Sequence, residues 1–195
     1  ARGADRTKTP VVVVPSLINR AWILDLEPDR SLVGGLAARG HDVYLVDLGV
    51  PGPEDARTTV EDVLLGLLRR SIDRAGRHAA RRHGRRGTIP VHLLGYCQGG
   101  TLSAMYAALR PDHLAGLAVF NAPVLFAEGG RFYRFVQDMD TEASINPDRL
   151  LPVDVMKAGF KLLDPMGNWT KYLFIERDSR NPQQLARTLA REKWL

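Results

Sequence analysis

The stretch Gly95-Tyr96-Cys97-Gln98-Gly99-Gly100 holds the only cysteine of the chain, directly after the apolar run Ile89-Pro90-Val91-His92-Leu93-Leu94. A thiol in the pattern G-x-C-x-G, after a strand and before a helix, fits a nucleophile carried on a tight strand-to-helix turn. The reason is steric. The central residue takes a strained backbone, and side chains two positions either side would strike the neighbouring strand and helix. Gly95 and Gly99 remove that collision. The turn lifts the thiol to the C-terminal edge of a sheet and sets it at a helix N-terminus, where the helix dipole favours a negative sulfur. A thiolate is a good nucleophile and leaving group toward thioesters. The oxyanion formed by its attack needs donors. The backbone N–H of Gln98 is one, and the second is expected from Pro15-Ser16-Leu17-Ile18, with Leu17 the first candidate and Ile18 the fallback. The plain alternative is a small hydrophobe in a Gly-rich turn. The strand before it, the helix after it and the strands around it weigh against that.

These residues need a scaffold, and the apolar pattern supplies one. Val11-Val12-Val13-Val14, closed by Pro15, reads as a strand buried on both faces. Ser31 to Arg39 reads as a short helix that Ser31 caps and Gly40 ends. Val43 to Val46 is a second strand. From about Ala56 to Arg82 the residues Val60, Val63, Leu64, Leu67, Leu68 and Ile72 follow helical spacing. Val91 to Leu94 is a third strand, Thr101 to Leu109 a helix, and Leu117 to Phe120 a fourth strand before Asn121-Ala122-Pro123. The alternation predicts an α/β protein with a parallel sheet covered on both faces. Past Pro123 the strand pattern stops. The chain is therefore expected to divide into a partial core, 1–123, and a helical cap region, 124–195. There Asn181-Pro182 reads as a helix start, with Leu185, Leu189 and Trp194 on its apolar side.

Composition bounds the rest. The chain has 195 residues, 45% of them hydrophobic, enough for a real core. A lone cysteine excludes an internal disulfide framework and points to a reducing compartment. No apolar run approaches the roughly 18 residues of a membrane span, and no signal-peptide core is visible, so a cytoplasmic protein without a transmembrane segment is expected. The net charge of +5 concentrates in Arg69, Arg70, Arg74, Arg77, Arg81, Arg82, Arg85 and Arg86. These read as a solvated helix face and loop, with attraction of phosphate-bearing ligands as a weaker possibility. Without interleaved aromatic residues or Cys/His zinc spacing, neither nucleic acid nor a metal is expected.

A thiolate in such a turn needs a general base and an acid. Of the five histidines, His41, His78, His83 and His92 precede Cys97, and His113 sits on the way into the next strand, at the wrong end of the sheet. Asp138, Asp140, Asp154 and Asp164 read as solvated or capping carboxylates. The chain starts on Ala and stops at Trp194-Leu195, inside what reads as a helix. A nucleophile without partners and these two ends together suggest a fragment that stops before the strands carrying the acid and the base.

Several stretches resemble the polyhydroxyalkanoate synthases, most closely the short two-subunit type. They are Val14-Pro15-Ser16-Leu17-Ile18-Asn19-Arg20 with Ile23-Leu24-Asp25-Leu26 and Pro28 to Val33, Gly40-His41-Asp42-Val43-Tyr44-Leu45-Val46-Asp47, the box Gly95 to Thr101, and Glu192-Lys193-Trp194. One departure is Leu48, where the family usually has Trp. The resemblance implies an α/β-hydrolase fold with a helical cap and an acyltransferase in which Cys97 takes the acyl group of an (R)-3-hydroxyacyl-CoA and releases CoA. A polyester then grows through the next monomer's hydroxyl. The CoA thioester is the substrate, and no cofactor or metal is implied. It further implies work at the surface of cytoplasmic polyester granules, a homodimer and a companion synthase subunit. The alternatives are a cysteine-nucleophile hydrolase (thioesterase, polyester depolymerase or dienelactone hydrolase-like) and a catalytically inert fragment.

Overall fold

Four consecutive valines, Val11–Val14, are all buried, and they form strand β1 at the centre of the sheet. In a computed structural model of the chain, residues 9–18, 20–163 and 173–186 are described. Among these the sheet has four strands, β1, β2 (Val43–Leu45), β3 (Val91–Tyr96) and β4 (Leu114–Phe120), in the order β2-β1-β3-β4 and all parallel. Val12 pairs with Tyr44 on one side and Leu93 on the other. Helices cover both faces, which is why the strands read as continuous apolar runs instead of alternating ones. On one face Val12, Val14, Val91 and Leu93 pack against Leu64, Leu68, Ile72 and Ala75 of the long helix and against Leu102 and Tyr106. On the other, Val11 and Val13 pack against Leu32, Val33 and Leu36 of helix α1 (Leu32–Ala38).

The element order follows the sequence pattern, and the boundaries differ for physical reasons. Ser31 caps α1 through its hydroxyl, which accepts from the Gly34 N–H. The long helix starts later than its apolar period suggests. It begins at Val60, passes through a π-helical stretch, Asp62–Leu68, and continues as α2, Arg69–Arg82. Thr59 sets this start, with its N–H and hydroxyl both donating to Asp62 Oδ2 at 2.9 and 2.7 Å. These bonds hold the Asp62 carboxyl below its usual pKa. Strand β3 runs two residues beyond Leu94, through Gly95 and Tyr96. Helix α3, Gln98–Leu109, begins three residues before Thr101, because packing overrides the poor helix propensity of Gly99 and Gly100. Strand β4 starts at Leu114 instead of Leu117. Leu48, at the position of the family's usual Trp, packs against the core.

The chain divides into two compact units, Ala1–Val50 with Arg57–Leu125, and Pro51–Ala56 with Phe126–Leu195. Past Phe126 the described residues contain helices and no strand. They include α4 (Gly130–Asp138), α5 (Thr141–Ser144), α6 (Val153–Leu163) and helical stretches at 173–178 and 182–186. Asp140 caps α5, accepting from the Ala143 N–H at 3.1 Å. Asn181 accepts from the Gln183 and Gln184 N–H groups at 3.0 and 3.3 Å, the cap expected of Asn-Pro. Asp164, Leu189, Glu192, Lys193 and Trp194 lie outside the described residues. Among those described, no helix is long and apolar enough to cross a membrane.

Candidate active site

The strand order reverses between β1 and β3. From β1 the chain crosses to β2 on one side, and from β3 it crosses to β4 on the other. Loops leaving the C-terminal ends of two such strands diverge and leave a crevice, the usual binding position of open α/β sheets. Cys97 follows β3 at this place, and Pro15-Ser16-Leu17-Ile18 follows β1.

Cys97 has φ 54° and ψ −130°. A non-glycine residue at positive φ stores strain and persists only where its surroundings fix it. Here the backbone on both sides is tied. The Cys97 N–H donates to Phe120 O at 3.1 Å, continuing the β3–β4 pairing, and Cys97 O accepts from Gly100 N at 2.8 Å, opening α3. The flanking glycines are a steric requirement. A Cβ on Gly95 would overlap Gly100 Cα, Gly99 O at 2.7 Å and Ser103 Oγ at 2.7 Å. On Gly99 it would overlap the carbonyl oxygens of Val14 and Pro15. The strand-turn-helix predicted around Cys97 is thus present, with the thiol partly exposed at the N-terminus of α3.

Leu17 and Gln98 are brought together, through an unexpected contact. The Leu17 N–H donates to the side-chain Oε1 of Gln98 at 3.2 Å. The fallback donor is also engaged, the Ile18 N–H donating to Ser16 Oγ at 3.0 Å. Two further polar groups at the elbow went unnoticed in the sequence. Ser103 donates from its buried hydroxyl to Gly99 O at 2.7 Å, and Thr101 donates to Pro123 O at 2.9 Å, tying α3 to the loop after β4. A hydroxyl within the first two turns after a Gly-Gly pair was the available signal.

The histidines sit away from the elbow. His83 Nε2 lies 2.9 Å from the carboxylate of buried Asp42, just before β2. His78 bonds the Tyr44 hydroxyl at 2.8 Å. His113 precedes β4, bonds Tyr106 at 3.0 Å and lies 3.7 Å from Asp73. His92 is exposed near the start of β3, against Gly116, and His41 directly precedes Asp42. Burial pushes the Tyr106 hydroxyl up to about 12, with the Asp73 carboxylate adding to the effect. A cavity of about 600 Å³ lies along β2 and α2, lined by Tyr44, Asp47, Arg74, Arg77, His78 and Arg81. Arg69 and Arg82 of the same arginine run pair with Asp73 and Asp42 at 3.9 and 3.7 Å. Among the described residues no group of three or more potential ligands could hold a metal ion.

A family profile described as alpha/beta hydrolase fold matches residues 9–145. The poly(3-hydroxyalkanoate) polymerase subunit PhaC of Haloferax mediterranei is 35% identical over 95% of this chain and 37% of its own length. The subunit of the same name from Thiocystis violacea is 32% identical over 99% of this chain and 53% of its own. The chain thus spans about half the length, or less, of these curated relatives. Among solved structures, proline iminopeptidase of Mycobacterium smegmatis aligns over 97% of this chain and 60% of its own at 19% identity, with a TM-score of 0.42. The motif resemblance is borne out over nearly the whole sequence, and the chain belongs to the α/β hydrolase fold family, with polyhydroxyalkanoate polymerase subunits as its relatives there.

Proposed function

We propose that this chain forms part of a poly(3-hydroxyalkanoate) synthase and carries its nucleophile, Cys97. The observation that supports this is the strained, glycine-flanked turn at Cys97 in a sequence akin to polymerase subunits along nearly its entire length. The Cys97 sulfur attacks the acyl carbon of an (R)-3-hydroxyacyl-CoA. The carbon–sulfur bond to CoA breaks, CoA takes a proton from the protonated general base and leaves as its thiol, and the acyl group stays on Cys97 as a thioester. The negative acyl oxygen of the intermediate is held by the Gln98 and Leu17 N–H groups. The hydroxyl of a second monomer or of the growing chain then attacks, forming an ester and freeing the thiolate. The base that takes that hydroxyl's proton, and the acid behind it, are assigned to sequence outside these 195 residues. In this reading the unit containing residues 126–195 serves as the cap. The working protein pairs with a second copy and a companion subunit at the cytoplasmic granule surface, and it needs no cofactor beyond the CoA carried by its substrate.

The test uses protein expressed from the whole reading frame and (R)-3-hydroxybutyryl-CoA. Expected are CoA release, one acyl group on the Cys97 peptide by mass spectrometry, and loss of both in Cys97→Ala. Polymer as the product supports a synthase. Free 3-hydroxybutyrate alone makes the protein a thioesterase, and CoA release undiminished in Cys97→Ala removes the nucleophile from the account.

A further inference from the structure

The Leu17–Gln98 hydrogen bond gives Gln98 a role beyond its backbone. The carboxamide Oε1 is an sp² carbonyl oxygen, the same class of acceptor as the acyl oxygen of a thioester. It reaches across the crevice between the β1 and β3 loops and takes the Leu17 N–H at 3.2 Å. The residue directly after Cys97 therefore places an acyl-oxygen mimic on the amide that the proposed function assigns to the substrate carbonyl. We propose that the Gln98 side chain is a built-in occupant of the oxyanion site, which an incoming thioester carbonyl must displace from the Leu17 N–H. The proposal rests on the reading of Cys97 as the acyl acceptor.

A second role for the same bond, bracing the loop against the elbow, is less well supported by the geometry. The loop is held without Gln98. Gly99 lies so close to Val14 O and Pro15 O that no Cβ fits between them. Within the loop, the buried Ser16 hydroxyl takes the Ile18 N–H. Removing the carboxamide therefore frees the Leu17 N–H while leaving the loop in place. A neutral hydrogen bond at an exposed position is a modest competitor, and its displacement costs about 2- to 10-fold in apparent substrate affinity.

Two substitutions pull in opposite directions. Gln98→Met keeps the side-chain length and removes the acceptor. Gln98→Glu supplies a charged oxygen that holds an amide N–H more strongly. The experiment measures acylation of Cys97 by (R)-3-hydroxybutyryl-CoA in rapid-quench mass spectrometry on the whole-frame protein, together with hydrogen exchange of the Leu17 amide. Expected for Gln98→Met are a half-saturation concentration lower by about 2- to 10-fold and faster exchange at Leu17. Gln98→Glu should show a higher half-saturation concentration and slower exchange. Slower acylation or weaker saturation in Gln98→Met, with exchange elsewhere in β1 and α3 unchanged, means that the side chain braces the loop and overturns the proposal. An unaltered half-saturation concentration overturns it as well. A parent protein that never acylates Cys97 overturns the functional reading itself, a result distinct from acylation that ignores Gln98.

Discussion

At the N-terminal ends of the strands, ionisable side chains answer one another. Asp42 before β2 meets His83 and Arg82, and His113 before β4 meets Tyr106, Asp73 and Asp112. At the C-terminal ends of β1 and β3 the chain instead spends its constraints on backbone. The positive φ of Cys97, two glycines pressed against neighbouring backbone, and a loop amide occupied by a side-chain carbonyl all fall there. One end uses charge pairs and rings to close the sheet. The other keeps a thiol partly exposed in a strained turn, which is how stability and chemistry divide between the two ends of an α/β sheet.

The contrast has sharp consequences. The largest belongs to Gly99→Ala. Its new methyl overlaps two carbonyl oxygens that cannot move without shifting β1, so a loss of roughly 3 kcal/mol is expected in urea melts. A cost near that of an exposed glycine substitution would show that the elbow is looser than its contacts imply. A smaller and opposite effect is expected of Cys97→Gly, which relieves the positive φ. It should be more stable than Cys97→Ala by about 1 kcal/mol, the strain relief less the entropy of glycine. Equal stabilities would remove strain from the description of this end.

The smallest effect at neutral pH lies at the other end. Tyr106→Phe removes the hydroxyl's bond to His113 and is expected to cost about 0.5 kcal/mol. Its signature is alkaline. The folded state holds the Tyr106 proton up to about pH 12, against an ordinary value of 10.0. Stability from that proton is complete below pH 10 and falls as pH rises toward 12. Tyr106→Phe should flatten this decline in melts taken across that range. An unchanged decline would place the alkaline sensitivity elsewhere.

Much of this was legible in the residue order. Val11–Val14 and Val91–Leu94 announce buried parallel strands because helices cover both faces, and Ser31 and Asn181 announce helix starts because their side chains satisfy free N–H groups. The elbow was legible because only glycine fits beside it. What was not legible depends on packing across long sequence distances. Gly99 and Gly100 argue against helix until packing at the sheet decides otherwise, so the residue pattern alone starts α3 at Thr101 and not at Gln98. The π-helical stretch at Asp62–Leu68 has no residue signature. The Gln98 carboxamide lying on the Leu17 amide is invisible to any local pattern, because 81 positions separate the two.

That separation also sets a schedule. Chains are synthesised at roughly 5–20 residues per second, so the loop after β1 exists for roughly 4–16 s before Gln98 has been made. Until then β1 can pair only with β2, and one edge of Val11–Val14 stays open to whatever strand comes near. The crevice therefore assembles only after the chain has closed the loop between β1 and β3. Anything that slows synthesis between β2 and β3 lengthens the interval in which those four valines have no partner on their inner side.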